Sequence, residues 1–191
     1  MTAKVTVSTS KSYHHGDLHA ALIEAGLSAL EVQDAGDLSL RKLAREVGVS
    51  PTAVYRHFPD KDALLAALAQ TGIEQMAAWQ KAAAEASGAD DAFAATGRAY
   101  VRWALAHPAL FRLVFGKCET VGESVFGDNA AAQMLRSYAE NFTGTEAGTQ
   151  RFMLQAWAVV HGLAMLMLDG QLPKDEALID RVIDAGTLFR A

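Results

Sequence analysis

The chain has 191 residues, of which 51% are hydrophobic, and a formal net charge of −5, enough apolar material for one sizeable core or two modest ones. Its single cysteine, Cys118, excludes an intrachain disulfide and a thiolate metal cluster; it reads as a small buried apolar residue in a reducing cytosol. Residues 1–61 hold seven Lys or Arg against seven Asp or Glu with four of the six histidines, and residues 62–191 hold ten against fifteen, so a neutral, His-bearing head on an acidic body would turn its head to a polyanion.

Residues 1–12 read as a disordered arm, since MTAKVTVSTSKSYHHGD has no continuous apolar stretch like a signal peptide. HHGDLH, 14–19, offers His14, His15, Asp17 and His19 as metal ligands. No downstream partner accompanies them, and an arm in which Tyr13 to His15 approach DNA phosphates is the stronger reading. No metal and no cofactor is expected.

From Gly16, apolar residues at Leu18, Ala21, Leu22, Ala25 and Ala29 recur at helical spacing to about Val32, and QDAGD breaks the run. Ser39 is placed to cap a second helix, LRKLAREV, which Gly48 ends in a left-handed conformation. Ser50 and Pro51 start a third helix, and Phe58 followed by Pro59 stops it. Asp60 caps a fourth from Lys61 to about Ala86, and SGADD at 87–91 is the next turn. Helical periodicity then continues over 91–106, 108–115, 128–142, 146–168 and 174–189, with a loop at 117–128. The most apolar stretch, 153–168, is shorter than a typical membrane span and contains Gln155 and His161, so it reads as a buried helix. An all-α chain follows: a helix-turn-helix head at 13–60, a linking helix at 61–86 and a helical body at 87–191.

At about 100° per residue, Pro51, Val54 and Phe58 fall on one side of the third helix, where they can pack on Leu43, Val47 and the first helix. Thr52, Ala53 and Arg56 lie opposite, with Tyr55 and His57 on the flanks. So short a helix is held by its neighbours. Two short helices joined by a tight Gly turn have the features of a helix-turn-helix whose second helix enters the major groove. Thr52 and Arg56 are then candidate base readers, and Tyr55 and His57 phosphate clamps. Lys61 opposes the dipole of the helix it begins, a sign that a nearby phosphate would reverse. Ser39 and Ser50 complete the candidate DNA-contacting set.

GVSPTAVYRHFPDK, 48–61, with LSLRKLAREVGVS upstream and YHHGDLHAALIEAGLSAL at 13–30, resembles the TetR family of bacterial one-component transcription regulators. The resemblance implies a homodimer of all-helical subunits with a DNA-binding head and a body that binds a small effector and dimerises. By position it implies backbone contacts from Tyr55, His57 and Lys61, and groove contacts from Pro51, Thr52 and Ala53. Ala53 departs from the Thr or Gly common there, which shifts base reading to Thr52 and Arg56. WAVVHG, with Trp157, His161 and Gly162, and HPALFRLVFG at 107–116 resemble one subgroup of that family. The double-stranded DNA partner would be a palindromic operator, and the regulator most naturally a repressor.

In the body, an apolar effector pocket would draw on Tyr100, Trp103, Phe111, Phe115, Met134, Tyr138, Trp157 and His161. The penultimate helix is apolar nearly all round, so Val159, Gly162, Leu163 and Leu166 are candidate dimer contacts. Glu176, Asp180 and Asp184, at spacing four, read as a solvated face. No phosphate loop, nucleophile elbow or carboxylate pair points to an enzyme. The rival readings are a helical protein-interaction module and a DNA binder with no effector.

Overall fold

The computed structural model describes residues 18–116 and 129–184. Tyr13, His14, His15, Asp17, Cys118, the 117–128 loop and the end of the 174–189 helix lie outside those residues. Among the described residues the secondary structure is entirely helical, as the pattern predicts: α1 (Leu18–Leu30), a 3₁₀ turn (Ala35–Asp37), α2 (Leu40–Val47), α3 (Pro51–Tyr55), α4 (Lys61–Ala86), α5 (Ala92–Ala106), α6 (Pro108–Phe115), α7 (Ala130–Phe142), α8 (Glu146–Leu168) and α9 (Glu176–Val182).

Local chemistry sets most of the boundaries. Gly48 has φ +77° and closes α2, with the Val49 N–H reaching the Ala44 carbonyl at 2.9 Å. The Asp60 carboxylate accepts from the Ala63 N–H at 2.8 Å, and the Thr145 hydroxyl from the Gly148 N–H at 3.1 Å. Ser39 precedes α2 as expected but its side chain makes no capping bond. The third helix is shorter than expected: it ends at Tyr55, and Arg56 and His57 form a turn that returns the chain to Phe58.

The main apolar core runs from Leu22 of α1 to Ile183 beyond α9. Helix α4 lies along α5, and α8 packs on α5 and α7. Two glycines let these helices meet closely. A Cβ on Gly72 of α4 would stand 2.9 Å from a Val114 methyl of α6, and one on Gly97 of α5 would stand 2.9 Å from Ile183. Helix α8 is 23 residues long, and its most apolar window has mean hydropathy 1.4, which meets the length and composition of a membrane span. Its inner side packs in the main core through Leu163 and Met167, and in a second cluster with Ala139 of α7 through Phe152, Met153 and Ala156.

The acidic residues after 174 are not simply a solvated face. Arg102 of α5 donates to Glu176 at 2.7 Å and to Asp180 at 2.9 Å, and Arg98 donates to the Ile183 carbonyl at 3.0 Å. These bonds fasten α9 across α5. Exposed pairs of this kind contribute at most about 1 kcal/mol each, so they fix the position of α9 more than they stabilise it.

Candidate nucleic-acid interface and ligand cavity

Helix α3 is only five residues long and is held by two anchors. Val54 and Phe58 are buried in the same core as Leu22, Leu43 and Ala44, and the Ser50 hydroxyl accepts from the Ala53 N–H at 3.3 Å with Pro51 in the first turn. Pro51 is exposed, so it does not join Val54 and Phe58 in the packing expected of it. Its place beside the Ser50 cap turns it outward. Thr52, Arg56 and His57 are exposed, Ala53 is half-buried, and Tyr55 keeps 44% of its surface in solvent. The outward face of the turn and helix therefore carries a hydroxyl, a guanidinium, an imidazole and a phenol.

Tyr55, Lys61 and Ser39 border one shallow concavity together with Arg41 and Asp60. Tyrosine and serine hydroxyls, a guanidinium, an ammonium and the N-terminus of α2 are donors that suit a phosphate oxygen. The Asp60 carboxylate is turned to its capping bond. Lys61 is tethered, its Nζ donating to the Gly36 carbonyl in the 3₁₀ turn. That carbonyl supplies the compensation for a cation at the start of α4, so no phosphate is needed to explain the residue's place. Arg41 was not among the sequence candidates; its position in the first turn of α2, two residues after Ser39, is the signal that could have found it. His57 lies apart from this concavity, its ring 6.2 Å from that of His19, which in turn sits 4.9 Å from Phe58.

A second site is a cavity of about 80 Å³, open on one side, between α4, α5, α7 and α8 with Phe115 of α6. Of the aromatic and apolar residues expected there, Tyr100, Phe115, Met134 and Trp157 border it. Trp103 and Phe111 do not; both are completely buried in the neighbouring core. Tyr138 stands outside, its ring 5.2 Å from Phe93, which does border the cavity. His161 is behind the wall, with Nδ1 2.9 Å from the Tyr100 hydroxyl. Ile73, Met76 and Gln80 of α4 and Phe93, Thr96 and Gly97 of α5 form that wall on the α4 and α5 side, and Asn129 at the start of α7 borders it opposite. Their spacing marks one face of each helix, but nothing in the sequence says that those two faces meet across a hollow.

The polar groups of the wall are neutral. Burial pushes the Tyr100 phenol well above its ordinary value, with a smaller opposing effect from a Trp157 hydrogen bond, so it stays protonated. Burial lowers His161 below its ordinary value and favours the neutral ring. With the imidazole neutral, the phenol O–H donates to Nδ1 and the ring proton resides on Nε2, a tautomer assigned from the bonding pattern.

The exposed face of α8 carries Leu154, 53% exposed, and Leu166, 39% exposed. Gly162 lies between them, and a Cβ there would meet nothing within 4 Å. Val159 is half-buried. Leu163 is buried in its own subunit's core, so it is not available to a partner as expected; the sequence pattern could not separate the two faces of this helix.

Comparison with known proteins agrees with this architecture. Residues 22–68 match the family described as bacterial regulatory proteins, tetR family, and residues 93–186 match the tetracyclin repressor-like C-terminal domain. An HTH-type transcriptional regulator of Mycobacterium bovis is 33% identical over 102 residues, which is 52% of this chain and 44% of that protein. The chain thus spans less than half the length of that curated relative. A solved protein of unknown function from Rhodococcus sp. RHA1 is 34% identical with a TM-score of 0.71, covering 92% of this chain and 94% of that one. A tetR-family transcriptional regulator from Streptomyces coelicolor, 18% identical and covering 86% of this chain and 76% of its own, shares the fold with a TM-score of 0.68. With a matching family over both the helix-turn-helix head and the helical body, this protein belongs to the TetR family of DNA-binding transcriptional regulators.

Proposed function

We propose that this regulator is a cytoplasmic homodimeric repressor that leaves a palindromic operator when a small molecule occupies the cavity of the body. The observation that carries the reading is the course of α4. Its first residue, Lys61, borders the concavity that also holds Tyr55, while Ile73, Met76 and Gln80 of the same helix border the cavity. A ligand that displaces the far end of α4 thereby moves the phosphate-facing end.

In this reading Tyr55, Lys61, Ser39 and Arg41 hold the DNA backbone. Ser50 presents the N-terminus of α3 so that Pro51, Thr52 and Ala53 face the groove, and Arg56 with Thr52 reads bases, while His57 contacts the flanking backbone. The two-fold partner packs on the α8 face of Leu154, Val159, Gly162 and Leu166, which sets two heads for successive major grooves about 34–36 Å apart or a multiple of it.

Binding free energies are reciprocal: a ligand that weakens DNA binding is weakened by DNA to the same factor, on the order of 5- to 150-fold for 1–3 kcal/mol of coupling. The test is to select operator fragments from genomic DNA, then to titrate compounds that shift Trp157 fluorescence with and without operator. Equal ligand affinity in both conditions would leave a DNA binder without effector control.

A further inference from the structure

Gln80 borders the cavity from α4, and its amide is only half satisfied. Nε2 donates to the Thr96 carbonyl at 3.4 Å, which fixes the orientation of the amide because a carbonyl cannot pair with Oε1. Oε1 is buried and receives no donor. The other polar side chains that border the cavity are already engaged: the Thr96 hydroxyl donates to the Phe93 carbonyl at 2.7 Å, the Tyr100 hydroxyl bonds His161, Asn129 Oδ1 accepts from the Ala132 N–H at 3.0 Å, and Trp157 hydrogen-bonds Tyr100. No Lys, Arg, His, Asp or Glu is among the described residues that border the cavity.

Resting on the effector-cavity reading above, we propose that the cavity selects an uncharged, mostly apolar small molecule bearing one hydrogen-bond donor, a hydroxyl or N–H, which is received by Gln80 Oε1. A buried acceptor left unmade is costly, whereas a donor that meets it recovers that cost together with the burial of the ligand's apolar body. A molecule that brings only an acceptor to the same place meets a second oxygen and gains nothing. A charged group would have to shed its water against a wall with no counter-ion. The space is about half of a 150 Å³ cavity known to take benzene, so a single ring fills it and reaches its open side.

The test uses the full-length regulator and three probes of one shape: cyclohexanol, cyclohexanone and cyclohexylammonium, titrated by ligand-observed NMR. Cyclohexanol should bind at least about tenfold more tightly than either of the others. Gln80→Met, which keeps length and removes the acceptor, should abolish the preference of alcohol over ketone. Comparable affinities for alcohol and ketone, a preference that survives Gln80→Met, comparable binding of the ammonium, or no binding of cyclohexanol to the wild type would each overturn the proposal. Operator binding measured with the same probes separates the two readings. A donor preference with no effect on DNA affinity sustains the ligand class and removes effector control; release from DNA by alcohol and ketone alike does the reverse.

Discussion

Tyr100→Phe tests whether the wall of the cavity is held by the bond between Tyr100 and His161. The tyrosine is 3% exposed, and its ring contacts Phe111 and Phe115 at centroid distances of 5.8 and 5.9 Å. Those ring contacts survive the substitution. What is lost is the 2.9 Å hydrogen bond to His161, with the satisfaction of that acceptor, about 1–2 kcal/mol, together with the weaker bond from Trp157. His161→Phe should cost a similar amount by leaving the phenol without its acceptor. The double variant should cost less than the sum, with a coupling of about 1 kcal/mol, because each single change already breaks the shared bond. Urea unfolding at one fixed protein concentration measures all three, the fixed concentration removing any effect of assembly.

The pH dependence has a definite sign. Burial lowers the His161 pKa below 6.5, so as pH falls through 6.5 the unfolded chain takes up a proton that the folded chain refuses. Stability is therefore complete above that value and declines toward lower pH until the folded ring itself protonates, with a slope of at most about 1.4 kcal/mol per pH unit. His161→Phe should flatten this component. Strict additivity of the two substitutions, or an identical pH profile for wild type and His161→Phe between pH 7 and 5, would refute the account.

On the DNA side, Tyr55→Phe and Lys61→Ala should weaken binding to all sequences by similar factors, and Lys61→Ala should reduce the salt slope by about one; titration of specific and scrambled duplexes at several salt concentrations checks both. Arg56→Ala should instead flatten preference at one position per half-site, at about 1–3 kcal/mol, read from a panel of single-base operator variants. Gly162→Arg, placed where a Cβ meets nothing within the subunit, should give a folded monomer by light scattering with an unaltered helical circular dichroism spectrum. A folded dimer at the same concentration would move the partner surface away from α8.

The parts of the fold legible from sequence are those fixed by neighbours along the chain. Gly48, the Ser50–Pro51 start and the Asp60 cap each act within four residues, and they place the boundaries of α2, α3 and α4. The bounds of α4 and α8 likewise follow from helical periodicity. What periodicity cannot give is which apolar face meets which. Trp103 and Phe111 satisfy every compositional criterion for a ligand pocket and are core residues; Gln80 and Thr96 satisfy none and form its wall. The Lys61 tether to Gly36 spans 25 residues and the Arg102 bonds to Glu176 and Asp180 span 74 and 78. Such partners are set by tertiary packing. Leu163 illustrates the same limit on α8, where an all-apolar circumference conceals which side belongs to the core.

Under the proposed effector control, a displacement at the cavity would reach the head by two routes that converge. The first is α4 itself: from Gln80 to Lys61 is 19 residues, roughly 28 Å of continuous helix. A tilt of five degrees about the cavity end moves the Lys61 end by about 2.5 Å on that length, comparable with a whole hydrogen-bond distance. The second route runs through α6. Phe115 borders the cavity, and Leu110 and Val114 of the same helix close on Gly72 of α4 with no room for a Cβ. At the other end of α6, His107 bonds Glu31, just past the end of α1, at 3.0 Å, with its ring 5.8 Å from Trp79 of α4. A displacement of Phe115 thus reaches α1 through His107 and α4 through Gly72. Close-packed contacts of this kind transmit a shift because they cannot absorb it. The head, whose α3 is too short to hold itself, takes its position from α1 and α4 and so follows both.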